Sequence, residues 1–381
     1  MWYRPMVARR VDEEYRAATP LELFFDLCFV VAVAIASADL HHDLAENHDI
    51  GPAVIRFLMV FFAIWWAWMN FTWFASAYDI DDGLYRVTTL VQMAGVLILA
   101  AGIPRAFDDG DLTVITYGYV VMRLAMVTQW LRAAASDPAR RATALRFVIG
   151  ITVVQVGWLL RLLPPDGWLL GSFLLLAAAE LLVPVWAERA EHTTWHPRHI
   201  GERYGLFTMI VLGESILSTS LAIQSALAVG HRGVALLTLA GAGLLVVFSM
   251  WWLYFDRPEK ELPQSSVRHS FEWGYGHYFV FASAAAVGAG LAVAVDDDAG
   301  IAHLSQRAVG YSVAIPVAVY LSGVWWLQVR PYQPPRYRMA YLVAVPLILL
   351  APLGPAPVHV IAVLMVALVA TTGSASRPVG G

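Results

Sequence analysis

Five ionisable side chains stand inside long apolar runs of this chain: Asp26, Arg123, Glu180, Glu214 and His277. Charge is costly at membrane depth and marks a functional site by default. Asp26 lies six residues into a run that opens at Pro20, about 9 Å along a helix at 1.5 Å per residue. Glu22, one turn earlier on the same face, follows Thr19 and Pro20 and reads as a helix-start or interfacial carboxylate. Glu214 sits eleven residues beyond Arg203, close to mid-membrane. Gly201, Gly205, Thr208, Ser215 and Thr219 form a small, weakly polar stripe on its helix, and Gly213 and Ser218 flank the acid. Such a stripe lets a second helix approach closely.

Arg123 is about eleven residues from either end of its run and needs a counter-charge. By depth Glu214 is the first candidate, Asp26 the second and Glu180 the third. Such a pair could open when a proton or solute competes for one partner, or it could simply lock two helices together. The same alternatives hold for Asp26. His277, eight residues into its run behind Glu272, Gly274 and Gly276, suits a proton relay near neutral pH, or a neutral hydrogen bond to a neighbouring helix.

Other chemistries find little support. Asp39, His41, His42, Asp43, Glu46, His48 and Asp49 mix imidazoles with carboxylates but follow no metal-site spacing, so a solvated loop is expected. There is no His-Glu-x-x-His, no phosphate-binding glycine loop and no Gly-x-Ser-x-Gly turn. Ser215, in Gly213-Glu214-Ser215, has no identifiable base for nucleophilic work. No catalytic residue, metal or cofactor is therefore assigned. The single Cys28 can form no intrachain disulfide, and a net charge of -4 does not suit nucleic acid.

The elements that carry these residues follow from composition. Of 381 residues, 59% are hydrophobic and only 14% charged, with a mean hydropathy of +0.61. A soluble domain carries about 25% charge, so the chain is read as an all-α, polytopic integral membrane protein. Twelve runs approach the length of about 20 residues that a helix needs to cross hydrocarbon. They cover residues 20–44, 52–77, 84–104, 112–132, 143–163, 167–187, 203–229, 234–255, 269–295, 308–329, 339–353 and 356–372. Pro346, Pro352, Pro355 and Pro357 crowd the last junction, where a re-entrant pair is the alternative. Glu22 and Asp26 argue against reading the first run as a cleaved signal peptide.

Cytoplasmic loops carry an excess of Lys and Arg. With both termini inside, 19 of the 25 basic residues fall on the cytoplasmic side. Arg56, Arg105, Arg161, Arg232 and Arg307 fall outside, with Arg123 in mid-membrane. The expected organisation is a cytoplasmic segment 1–19, a first six-helix half 20–187, a linker 188–202, a second half 203–372 and a tail 373–381. Trp65-Trp66-Ala67-Trp68 and Trp251-Trp252, with Asp26 and Glu214 upstream of each, recur six helices apart. Two parallel six-helix bundles would produce this recurrence. Aromatic belts at the two membrane interfaces would produce it as well.

Two segments carry a family resemblance. Glu22-Leu23-Phe24-Phe25-Asp26-Leu27, and Glu202-Arg203-Tyr204-Gly205-Leu206-Phe207-Thr208 leading into Gly213-Glu214-Ser215, resemble the signatures of the bacterial low temperature requirement A (LtrA) family. Met122-Arg123-Leu124 with Trp130-Leu131-Arg132 is also similar, and the likeness runs from about Thr19 to Trp326. It implies a bacterial inner-membrane protein and draws attention to Glu22, Asp26, Arg123, Glu202, Arg203 and Glu214. It assigns no substrate. Three classes stay open: a proton-coupled secondary carrier of an unnamed small solute, favoured by the buried charges; a non-transport envelope component in cold adaptation; and an intramembrane enzyme acting on lipid. Membrane lipids are the expected surroundings, and no nucleic-acid partner or oligomeric state is assigned.

Overall fold

The computed structural model describes residues 1–10, 17–46, 50–163, 169–228, 230, 233–256, 267–302 and 304–373. His48, Asp49 and all but the first residue of the expected tail 373–381 lie outside them. The helices are α1 (Pro20–Glu46), α2 (Ile50–Tyr78), α3 (Gly83–Ala101), the short α4 (Ile103–Asp108), α5 (Thr113–Ser136), α6 (Arg141–Leu160) and α7 (Leu169–Ala187). After these come α8 (Pro197–Ala228), α9 (Val234–Phe255), α10 (Val267–Asp298), α11 (Gln306–Val324), α12 (Arg330–Tyr332), α13 (Pro335–Leu350) and α14 (Pro357–Gly373). A π turn over Trp325–Val329 joins α11 to α12. No strand occurs among the described residues.

Each of the twelve apolar runs is helical over most of its described residues. Ten helices are long and apolar enough to cross a membrane; α5 and α14 fall outside that set. At 24 residues α5 is long enough, but it carries Arg123, Gln129 and Arg132. At 17 residues α14 is short. Bulky apolar residues such as Val153, Leu175, Leu237 and Val363 are turned outward, while carboxylates and arginines are buried. That inverts the order of a water-soluble protein and suits a hydrocarbon solvent.

Local chemistry sets the helix starts. Thr19 and Glu22 form a reciprocal capping box: the Glu22 carboxylate accepts from Thr19 N at 2.7 Å, and Thr19 Oγ1 accepts from Glu22 N at 3.3 Å. Asp82 caps α3 through Tyr85 N, and Ser305 caps α11 through Ala308 N. Several boundaries differ from the hydropathy reading, and three of them bear on the charged residues. α8 begins at Pro197, because polar His199 and Glu202 do not stop a helix that can pack them. α1 runs on to Glu46, so Asp39 to Glu46 are helical rather than a loop. α10 extends through Asp296, Asp297 and Asp298 to a turn at Gly300, whose φ is +71°.

The chain divides into two compact units, residues 1–36 with 59–204 and residues 37–58 with 205–381. In the first, α3 and α5 cross where Gly95 faces Gly118; a Cβ at Gly95 would lie 2.8 Å from the Gly118 carbonyl oxygen. The N-terminal segment is not a free tail. Gly83 N and Leu84 N donate to the carbonyls of Met1 and Trp2, and Arg9 N to that of Ala77. Asp82 also accepts from Arg4 N and from the Arg132 guanidinium, both at 2.7 Å. Burial works against ionisation of Asp82, but these donors and Tyr85 N prevail and hold its carboxyl below the ordinary range.

In the second unit, small residues let α10 run through the centre. A Cβ at Gly288 would come within 2.7 Å of Ser215 Cα, and Ser215 Oγ donates to the Ala284 carbonyl at 2.8 Å. α14 packs along α9, with Gly373 against the Trp252 indole.

Candidate functional site

The acids singled out within the apolar runs, Asp26, Glu180 and Glu214, each form a buried centre, two in the first unit and one in the second. The first joins the two segments that carry the family likeness. Arg203, two turns into α8, donates through Nε to Asp26 Oδ2 at 2.9 Å and through Nη2 to Asp26 Oδ1 at 2.5 Å. This is the planar bidentate geometry for which guanidinium is suited. Trp68 Nε1 adds a third donor to Asp26 at 2.7 Å. Glu22 Oε1 lies 3.4 Å from Arg203 Nη1 and 3.1 Å from His199 Nε2. The neighbouring signature residues complete the clasp: Glu202 accepts from Ala18 N at 3.1 Å, and the Tyr204 hydroxyl accepts from Trp73 Nε1 at 3.0 Å. Asp26, Glu22 and Arg203 are at most 1% exposed.

The second centre is Glu180. Arg123 Nη2 and Trp66 Nε1 donate to Oε2 at 2.8 and 2.9 Å. Tyr119, Gln155 Nε2 and Trp158 Nε1 donate to Oε1 at 2.8, 2.9 and 3.3 Å. One carboxylate thus holds five donors from α2, α5 and α6. The partner of Arg123 is Glu180, not the first-expected Glu214 or the second-expected Asp26, whose arginine is Arg203. Depth along a helix is a one-dimensional coordinate and says nothing of which helices are neighbours. Pro184, one turn after Glu180 in α7, has no N–H to offer the Glu180 carbonyl. A cavity of about 20 Å³, lined in part by Thr116, Tyr119, Trp158 and Arg161, adjoins this centre and has room for about one water.

Trp66 and Trp68 serve the two carboxylates from one helix, because residues two apart on an α-helix point about 200° from one another. The tryptophan cluster is therefore internal and not an interfacial belt; Trp65, Trp66 and Trp68 are at most 1% exposed. Sequence reasoning missed these indoles, as well as Tyr119, Gln155, Trp158 and His199. The available signal was that three tryptophans in four residues cannot share one face, and a buried indole N–H needs an acceptor.

The third centre is Glu214 in the second unit, with 4% exposure. Ser218 Oγ donates to Oε1 at 2.9 Å, whereas Oε2 is buried without a hydrogen-bond partner among the described residues. No ion pair of Glu214 occurs among the described residues either. Gly213 beside it meets no atom that a Cβ would crowd. His277, also in this unit, is fully buried, with Nδ1 2.7 Å from the Trp273 carbonyl and Nε2 3.1 Å from the Tyr254 hydroxyl. A carbonyl only accepts, so Nδ1 carries the hydrogen and Nε2 of the neutral ring accepts from Tyr254.

The acidic and histidine cluster at the end of α1 resolves into pairs. His41 Nε2 lies 2.7 Å from Asp296, His42 lies 3.4 Å from Glu46, and Arg56 lies 3.7 Å from Asp43. No group of three or more metal-ligating side chains occurs among the described residues.

Comparison with known proteins places these centres in a wider group. "Uncharacterized protein RA0937" of Rhizobium meliloti (strain 1021) is 26% identical over 349 residues, covering 84% of this chain and 79% of that protein. No solved structure matches. The family described as "Bacterial low temperature requirement A protein (LtrA)" matches residues 17–375, which include both signature segments and all three acid centres. The chain belongs to the bacterial LtrA family.

Proposed function

We propose that this LtrA-family membrane protein is a proton-coupled carrier of a small solute in which Glu214 is the proton-exchanging acid. The observation that carries this reading is the contrast among its buried acids. Asp26 and Glu22 are engaged by Arg203, and Glu180 by Arg123 and four further donors. Changing their protonation would break an ion pair. Among the described residues, Glu214 has a single hydroxyl partner and one carboxylate oxygen without any. It can gain or lose a proton without that penalty, beside a close-packed seam between α8 and α10. Proton-driven solute or proton flux in proteoliposomes tests the reading, with Glu214→Gln as the decisive variant and loss of coupling in folded protein as the expected result.

A second reading keeps a specific observation on its side. Five donors on one carboxylate make Glu180 a lock, and a molecule built around such locks suits a non-transport envelope component. Flux in the wild-type protein separates the two.

All twelve apolar helices cross the membrane in this account. Three polar side chains of α5 each find a partner within its own unit, Arg123 in Glu180, Gln129 in Thr88 and Arg132 in Asp82. Packing of α14 against α9 supports its insertion despite its length. The bias of basic residues supports cytoplasmic termini in a bacterial inner membrane. In a Cys28→Ser background, a cysteine at Asp108 should be labelled from outside the cell and one at Pro138 only after permeabilisation. The reverse pattern would invert the orientation.

A further inference from the structure

We propose that the groove between α10, α11 and α13 binds a phospholipid with an anionic headgroup, its phosphate held by Arg330 and Arg338. Two cavities join end to end there. One, of about 750 Å³, is apolar and runs along Phe279, Ile315, Val319, Val345 and Leu349. The other, of about 470 Å³, lies at the helix ends and is lined by Glu272, Arg330, Tyr332 and Arg338 among others. Glu272, Trp326 and Leu327 line both. Volumes of this order are those of small-molecule sites.

The charged end is built by the π turn. The turn leads directly into Arg330 and places its guanidinium carbon 4.3 Å from the centre of the Trp326 ring. Trp326 Nε1 in turn donates to Glu272 at 2.9 Å. The one acid among the described residues that line the pocket is thus engaged by an indole. Arg338 is oriented by its Nε donating to the Gln333 carbonyl at 2.7 Å, which leaves its two terminal nitrogens for another acceptor. Among the described residues, two arginines against one acid give the pocket lining a net positive charge. Guanidinium groups bind phosphate through paired, charge-assisted hydrogen bonds, and basic pockets between helix ends hold acidic lipid headgroups. A basic pocket continuous with an apolar groove, on helices that cross hydrocarbon, fits a molecule with a phosphate at one end and an acyl chain at the other. One acid without a partnered nucleophile suits binding rather than turnover. The inference is independent of proton coupling.

The test uses the purified full chain in neutral detergent, with binding read by native mass spectrometry and by thermal shift. Phosphatidylglycerol should bind and raise the melting temperature, while phosphatidylcholine and water-soluble glycerol phosphate should not. Arg330→Gln with Arg338→Gln should weaken phosphatidylglycerol about tenfold, one step of 1.4 kcal/mol, with the lipid-free melting temperature unchanged because both side chains sit at helix ends. Val319→Trp, on the apolar wall, should weaken it as well, and this second variant tests the acyl arm if the arginine variant fails to fold. Equal retention of the two lipids, undiminished binding by the arginine variant, or glycerol phosphate binding as tightly as lipid would each overturn the proposal.

Discussion

Replacing Arg203 with leucine should leave little folded protein in the membrane. The change removes the cation from Asp26 and Glu22 together, both at most 1% exposed. Stranding one buried charge costs about 3 to 5 kcal/mol in soluble proteins, against a total stability of about 5 to 15 kcal/mol. Asp26→Leu alone should also be harmful, though less so, since it leaves the arginine with Glu22 alone and Trp68 Nε1 without its acceptor. The double variant should recover part of the yield, because it removes Asp26 and Arg203 together, while Glu22 still loses its arginine and Trp68 Nε1 its acceptor. Arg203→Lys should recover less, as one ammonium cannot span both carboxylate oxygens. Yield and melting temperature by fluorescence-detected size exclusion would check the order. Strict additivity of the single losses would show that Asp26 and Arg203 are uncoupled.

Glu180 should behave differently in an informative way. Glu180→Leu strands Arg123 and removes the acceptor of Trp66, Tyr119, Gln155 and Trp158 at once. Its effect should match or exceed that of Arg203→Leu. Pairing it with Arg123→Leu should rescue poorly, because four buried donors remain unmet and each costs about 1 to 3 kcal/mol. The two centres thus differ in degree for the same kind of cycle, partial rescue at Asp26–Arg203 and little rescue at Arg123–Glu180. Good recovery at the second centre would mean that its indole and hydroxyl bonds contribute little and that the ion pair alone matters there.

Helix positions, the start of α1 and the buried acids themselves were legible in the sequence, because hydropathy and cap residues act locally. Thr19, Pro20 and Glu22 mark a helix start wherever the helix goes. Pairing was not legible, since it depends on which helices touch and how each is rotated. Arg123 meets Glu180 because α5 and α7 contribute to one unit, and no spacing along the chain encodes that. Arg203 was misplaced for a simpler reason. Counting the membrane run of α8 from Arg203 put the side chain at the interface, whereas the helix begins at Pro197 and carries the arginine two turns in. Burial of the guanidinium then depends on Asp26 from a segment 177 residues away. The tryptophans of α2 misled because interfacial belts and internal hydrogen-bond donors use the same residue.

On the proposed reading Asp26, Glu22 and Glu180 stay locked in ion pairs, whereas Glu214 exchanges its proton. The most direct test is flux in proteoliposomes under an imposed pH gradient, comparing wild type with Glu214→Gln, whose melting temperature should stay near that of wild type because the amide keeps the shape of the side chain. Wild type should show pH-driven movement of protons or a coupled solute, and the variant should lose it. Wild-type flux in a well-folded Glu214→Gln protein would contradict this reading.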